Sequence, residues 1–172
     1  MPVTILTADA LTRLTPAEKR VAEHLVAGTS NIQGAQDLGM SAATFAGHLA
    51  SIGRKFQITN GRLGRPARAH AVLASEQVAP PQAPATVPDF TPAELRLLCA
   101  FAKYPEIHDI TRATGIAQAE VRPHIKALVT KAGADNDTHL IGLGHAWGFL
   151  GECPTASDST AEDSNKHFGA AR

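Results

Sequence analysis

Aromatic side chains are scarce in this chain, with one Trp, one Tyr and six Phe among 172 residues, so a core must be built mainly from aliphatic side chains. Cysteine is scarcer still. Cys99 stands at a helical position and Cys153 in a polar tail, which suggests neither a disulfide framework nor a zinc site, and Cys99 is expected as a small apolar core residue. The eight histidines show no ligand spacing. No Gly-rich phosphate loop, carboxylate pair or Ser/His/Asp set occurs at useful spacing, so neither catalysis nor a metal, cofactor or small-molecule ligand is expected. No apolar run approaches the length of a membrane span, and the N-terminus lacks a signal peptide's basic start and long apolar run; a cytoplasmic protein is the expectation. Net charge is absent as well, 16 Lys+Arg balancing 16 Asp+Glu.

The balance hides an uneven distribution. Residues 1–75 hold 8 basic against 4 acidic side chains, whereas residues 90–150 hold 6 of each. The connecting segment and the tail each carry a net −2, so the first half is basic.

What the chain does have is a repeat. Leu14-Thr15-Pro16-Ala17-Glu18 returns as Phe90-Thr91-Pro92-Ala93-Glu94, an offset of 76 residues that holds without a gap to Asn60 and Asn136. It pairs Arg20 with Arg96, Gly39 with Gly115, His48 with His124 and Lys55 with Lys131. A repeat this long is a duplicated small domain. The expected organisation is a first domain over 1–75, a Pro-rich linker over 76–89, a second domain over 90–150 and a disordered tail over 151–172. Four prolines would keep the linker extended. At about 3.1 Å per residue it could span roughly 40 Å.

Each half reads as helical throughout, so the fold class is all-α. Thr15 and Thr91 are N-caps followed by Pro, with Glu18 and Glu94 completing capping boxes. Second helices are expected near 31–38 and 107–114, stopping at Gly39 and Gly115. Ser41 caps a third helix with an apolar stripe of Phe45, Leu49, Ile52 and Phe56; the second copy offers Val121, Ile125 and Leu128. Fourth helices are expected at about 67–75 and 138–150. Two helices joined by a tight glycine turn form a helix-turn-helix.

The stretch LTPAEKRVAEHLVAGTSN…LGMSAATFAGHLASIGRKF resembles the LuxR-type (GerE- or NarL-like) helix-turn-helix, through Gly28, Ser30-Asn31, Leu38-Gly39, Ser41, Thr44, His48, Ile52 and Lys55. The second half resembles it less closely, mainly at its end; together the likeness covers roughly 120 residues. The resemblance implies tandem four-helix modules whose third helices enter the major groove of double-stranded DNA and whose fourth helices form a homodimer contact. The Ala-rich composition associates the chain with a GC-rich, actinobacterial genome. Neither a phospho-receiver nor an autoinducer-binding domain is expected within these residues.

By that resemblance the base-facing positions are Ala46, Gly47 and Ala50 in the first unit and Arg122, Pro123 and Lys126 in the second. Ser41, Thr44, His48 and Lys131 belong to the same expected surface. The first set lacks hydrogen-bonding side chains; the second places two cations one turn apart, as guanine contacts require. Arg54, Lys55, Arg62, Arg65 and Arg68 gather after the first third helix, around GRLGRPAR, as candidate phosphate ligands on a basic loop. One account is a division of labour, in which the first unit anchors and the second reads; the other is that one unit, the second rather than the first, is a packing or dimerisation copy. The linker is long enough for half-sites on adjacent turns, roughly 34 Å apart. The alternative is a helix-turn-helix pair that has exchanged DNA for a transcription factor or polymerase subunit. What decides is whether these cations lie open beside a third helix or are bound by neighbouring carboxylates.

Overall fold

The computed structural model describes residues 12–58, 63–151 and 153. Those residues form eight α-helices and no strand. The first group is α1 (Pro16–Val26), α2 (Asn31–Asp37), α3 (Ala42–Lys55) and α4 (Gly64–Ala74). The second is α5 (Pro92–Lys103), α6 (Ile107–Thr114), α7 (Gln118–Ala132) and α8 (Asp137–Ala146). The first three helices of each group start 76 residues apart, so the sequence repeat is also a repeat of secondary structure. Arg62 lies outside the described residues, as do the lead-in before Thr12 and nearly all of the tail.

Local chemistry sets the helix limits. The hydroxyls of Thr15 and Thr91 accept from the backbone N–H of Glu18 and Glu94, and each glutamate returns the bond to the threonine N–H at 2.7 Å. At the end of α2, Met40 N–H reaches Ala35 O and Gly39 N–H reaches Gln36 O, with Gly39 at φ +65°. That closure needs a left-handed residue, and the α2–α3 turn follows from it. Within each group the third helix packs against the first, second and fourth.

Two helix limits differ from the sequence reading. The GRLGRPAR stretch is not an open basic loop throughout: α4 begins at Gly64, with Pro66 tolerated in its first turn. Its N-cap, Leu63, makes no side-chain capping bond, so no start signal marks it. In turn α8 ends at Ala146 rather than continuing to Leu150. Phe149 N–H bonds Gly144 O and Gly148 N–H bonds His145 O, with Gly148 at φ +80°, which terminates the helix.

The two groups share one apolar core. Helices α4 and α8 pack on each other, α8 also on α1 and α4 also on α5, a reciprocal arrangement. Asn136, the N-cap of α8, donates to Gly28 O at the end of α1 (2.7 Å). Gly142 lies so close to α1 that an added Cβ would stand 2.3 Å from Val26 O. His70 and His145 meet between α4 and α8, Nδ1 to Nε2 2.9 Å. Burial, then the charges of His145 and Lys103, lowers the His70 pKa to about 4; burial lowers that of His145. The pair is therefore neutral at pH 7, one ring donating to the other.

The segment between the groups is not an extended tether. Val78 is buried, Pro81 sits against Gly142, and Pro84 O accepts from the Trp147 indole at 3.3 Å. It runs along α8 as a strap, so its free reach plays no part in spacing the two groups. The cysteines also depart from expectation. The chain turns back over α5 after α8, which sets Cys153 beside Cys99 with Cα atoms 5.7 Å apart, and the two form a disulfide. No helix among the described residues is long and apolar enough to cross a membrane.

Gly142→Ala drives a methyl group into a backbone carbonyl that cannot swing away, so the seam must part. The expected loss is about 1–3 kcal/mol in urea unfolding, whereas Gly47→Ala, inside α3 and meeting nothing within 4 Å, is expected to stabilise by up to about 1 kcal/mol.

Candidate nucleic-acid interface

Helix α3 buries Phe45, Leu49 and Ile52 and turns Ala42, Ala43, Thr44, Ala46 and Gly47 outward, with His48 and Ala50 at its edge. Ser41 caps it: its Oγ accepts from Thr44 N–H at 3.0 Å and lies 2.8 Å from Thr44 Oγ1. The outward face offers methyl groups, one hydroxyl pair and a glycine with open space above it. At its C-terminal end Arg54 is exposed.

Helix α7 buries Val121, Ile125 and Leu128 and exposes Glu120, Arg122, Pro123, His124 and Lys126. It continues through Pro123, and His124 Nδ1 donates to Glu120 O (2.7 Å). Arg122 makes only a loose ion pair with Asp137, 3.7 Å away at the start of α8.

Other expected phosphate ligands have partners within the fold. Lys55 Nζ sits 2.6 Å from Glu18 Oε2 and 2.8 Å from Arg13 O. Glu18 is buried and also accepts from Ser51 Oγ at 2.7 Å. Burial raises its pKa, but the Lys55 ammonium, the Thr15 N–H and the Ser51 hydroxyl together outweigh that and hold it at about 2. The second group repeats the clamp, with Lys131 Nζ 2.8 Å from Glu94 Oε2, and Lys131 also lies over the Phe90 ring. This copy is more open, and Ala127 stands where Ser51 would be.

Arg65 donates to Asn31 Oδ1 and to Thr29 O, tying the start of α4 to the α1–α2 loop. Arg68 is buried against Gly53, on the inner side of α3. The structure thus brings Arg54 to the outward side of α3 and Arg122 with Lys126 to that of α7. It does not bring Lys55, Lys131, Arg65 or Arg68 there. Sequence reading had the two glutamates only as helix caps. A signal existed, since Glu18/Lys55 and Glu94/Lys131 persist at one offset while the third-helix faces around them change.

These helices define an all-α fold with a helix-turn-helix in its first group. Residues 12–62 match the family model described as GerE, bacterial regulatory proteins, luxR family. The match spans α1 to α3, so the chain carries a LuxR-type helix-turn-helix domain at its N-terminal side, which implies DNA-binding transcriptional regulation. That family is a non-catalytic regulatory domain, and no group of three His, Cys, Asp or Glu that could hold a metal occurs among the described residues. No curated protein and no solved structure matches the chain.

The clamp has a pH signature. Glu18 has a folded pKa below its ordinary 4.5, so its contribution is present in full above that value and is lost as pH falls toward 2. The shift corresponds to a contribution on the order of 3 kcal/mol. Glu18→Gln should therefore lower the urea midpoint at pH 7 and close the gap to wild type as pH is taken from 4.5 down to 2. A gap that stays constant over that range would remove the ionic account.

Proposed function

We propose that the chain is a two-headed DNA-binding regulator, in which α3 and α7 each present an outward face to the major groove of double-stranded DNA. The observation that carries this reading is the LuxR-type match over α1–α3, with the same helix order and the same glutamate–lysine clamp in α5–α7. A clamp joining the first turn of one helix to the last turn of another fixes the pose of the third helix. Lys55 and Lys131 accordingly act as positioning residues, and Arg65 and Arg68 as braces behind α3.

The contact set is then narrower than the sequence inventory. Arg54 supplies phosphate attraction beside α3, where Ser41, Thr44, Ala46, Gly47 and His48 allow close approach and methyl contact. Arg122 and Lys126 on α7 supply hydrogen-bond donors for guanine edges. The internal packing of α4 on α8 supports a monomer that takes the place of a dimer, since the fourth helices already have partners. Sedimentation equilibrium at micromolar concentration is expected to return a single-chain mass; a reversible dimer would require another surface.

A specific observation favours a second reading. Ile32 is 65% exposed on α2, the helix that leads into α3, and a bare apolar side chain there suits a protein partner as well as a groove.

Gel-shift titrations at two salt concentrations against genomic fragments separate the readings. Arg54→Ala should weaken all fragments alike and reduce the salt slope by about 1. Arg122→Ala or Lys126→Ala should instead cost about 1–3 kcal/mol on the best fragment and narrow its lead over the others. No retardation even at low salt, with one stoichiometric protein recovered in a pull-down, establishes the second reading.

A further inference from the structure

We propose that Cys99–Cys153 is a reversible thiol–disulfide site, a latch that controls how the turn after α8 and the strap between the helical groups are held. The proposal rests on placement and does not require the DNA reading. Cys99 lies on α5 and is 7% exposed; Cys153 lies beyond α8 and is half-buried at the edge of the core.

Helix α8 is complete without the disulfide, because the Gly148 turn closes it at Ala146. What the cross-link adds is a tie on residues 147–151 and on Cys153. Phe149 meets Phe90 edge to face at 5.5 Å, Trp147 stacks obliquely on Phe149 at 6.2 Å, and the Trp147 indole bonds Pro84 O of the strap. Leu150 fills the space above Gly144. Opening the cross-link leaves Cys99 as a small apolar side chain in the core, where a thiol is well tolerated. Cys153 is then free to leave, and with it goes the covalent restraint on the turn that carries Phe149 and Trp147.

The exchange is balanced by a dithiol reductant. Its thiolate attacks the more accessible Cys153 sulfur, the Cys153–Cys99 bond breaks, and Cys99 departs as a thiolate that takes up a proton. The reductant's second thiol then displaces Cys153 and closes a cyclic disulfide. Two electrons have passed to the protein, which ends with two thiols. Attack by Cys153 on the cyclic disulfide runs the sequence backward.

Trp147 is the only tryptophan in the chain, so its fluorescence reports on this turn alone. The full-length oxidised protein is titrated with dithiothreitol under native conditions. Thiols are counted by iodoacetamide mass labelling, helix content by circular dichroism and Trp147 by its emission. Expected are a rise from no labelled cysteine to two, unchanged helix content, and a shift of emission to longer wavelength that reverses with trans-4,5-dihydroxy-1,2-dithiane. Cys153→Ser should show the shifted emission from the outset and ignore the reductant. Two labelled thiols before reduction, a disulfide that opens only after unfolding, an unmoved emission, or a Cys153→Ser chain that cannot fold would each overturn the latch.

Discussion

The contact on which the architecture rests is the seating of α8 on the end of α1. Two small features make it possible. Gly142 removes the side chain that would hold the helices apart, and Asn136 uses one side chain both to cap α8 and to bind the exposed carbonyl of Gly28. Helix ends leave carbonyls without partners, so a bond from the next helical group satisfies a need that solvent would otherwise meet. With α8 anchored there, α4 is drawn against it and against α5, and the neutral His70–His145 pair closes the middle of the seam. The strap follows the groove this creates. Two groups of about 60 residues, each marginal alone, thereby share one core.

Charge is handled by the same economy. A buried carboxylate is costly unless it is paired and hydrogen-bonded. Glu18 meets that condition three times over, with Lys55, the Thr15 N–H and the Ser51 hydroxyl. The consequence is that a lysine standing at the foot of α3 is spent on holding that helix in place. Arg65 is used similarly, on Asn31 and the Thr29 carbonyl. A chain with no net charge can still offer cations to a polyanion, but only from positions such as Arg54 and Lys126, which stand outward.

The sequence made the helices legible wherever a local signal existed. Thr-Pro-Ala-Glu fixed two starts and Gly39 and Gly115 fixed two stops, because capping and left-handed closure depend on adjacent residues alone. The start of α4 was not legible for the converse reason: Leu63 carries no capping group, and its helix forms because Leu63, Ala69 and Val72 are buried by distant partners. The candidate surface was half legible. Which side of α3 faces outward followed from the spacing of Phe45, Leu49 and Ile52. Which cations remain open did not, because Glu18 lies 37 residues from Lys55 and nothing local records their meeting. The strap and the cysteine pair were illegible for the same reason, both being products of tertiary approach.

Rigidity at the seam changes what the two dissimilar outward faces can do together. On a flexible tether, a weak first contact helps a second only through effective concentration, and orientation must be bought anew each time. With α4 and α8 packed together, the ordering cost is met once, at folding, and any contact made by one face arrives with the other already oriented. On the proposed two-headed reading, the sparsely charged α3 surface then need not bind tightly by itself, nor need α7 compensate for Pro123 with further donors. What each face must do is fit when its neighbour fits. This places the demand for precision on the seam and its strap, where Gly142, Asn136 and Pro84 lie, rather than on the outward residues themselves.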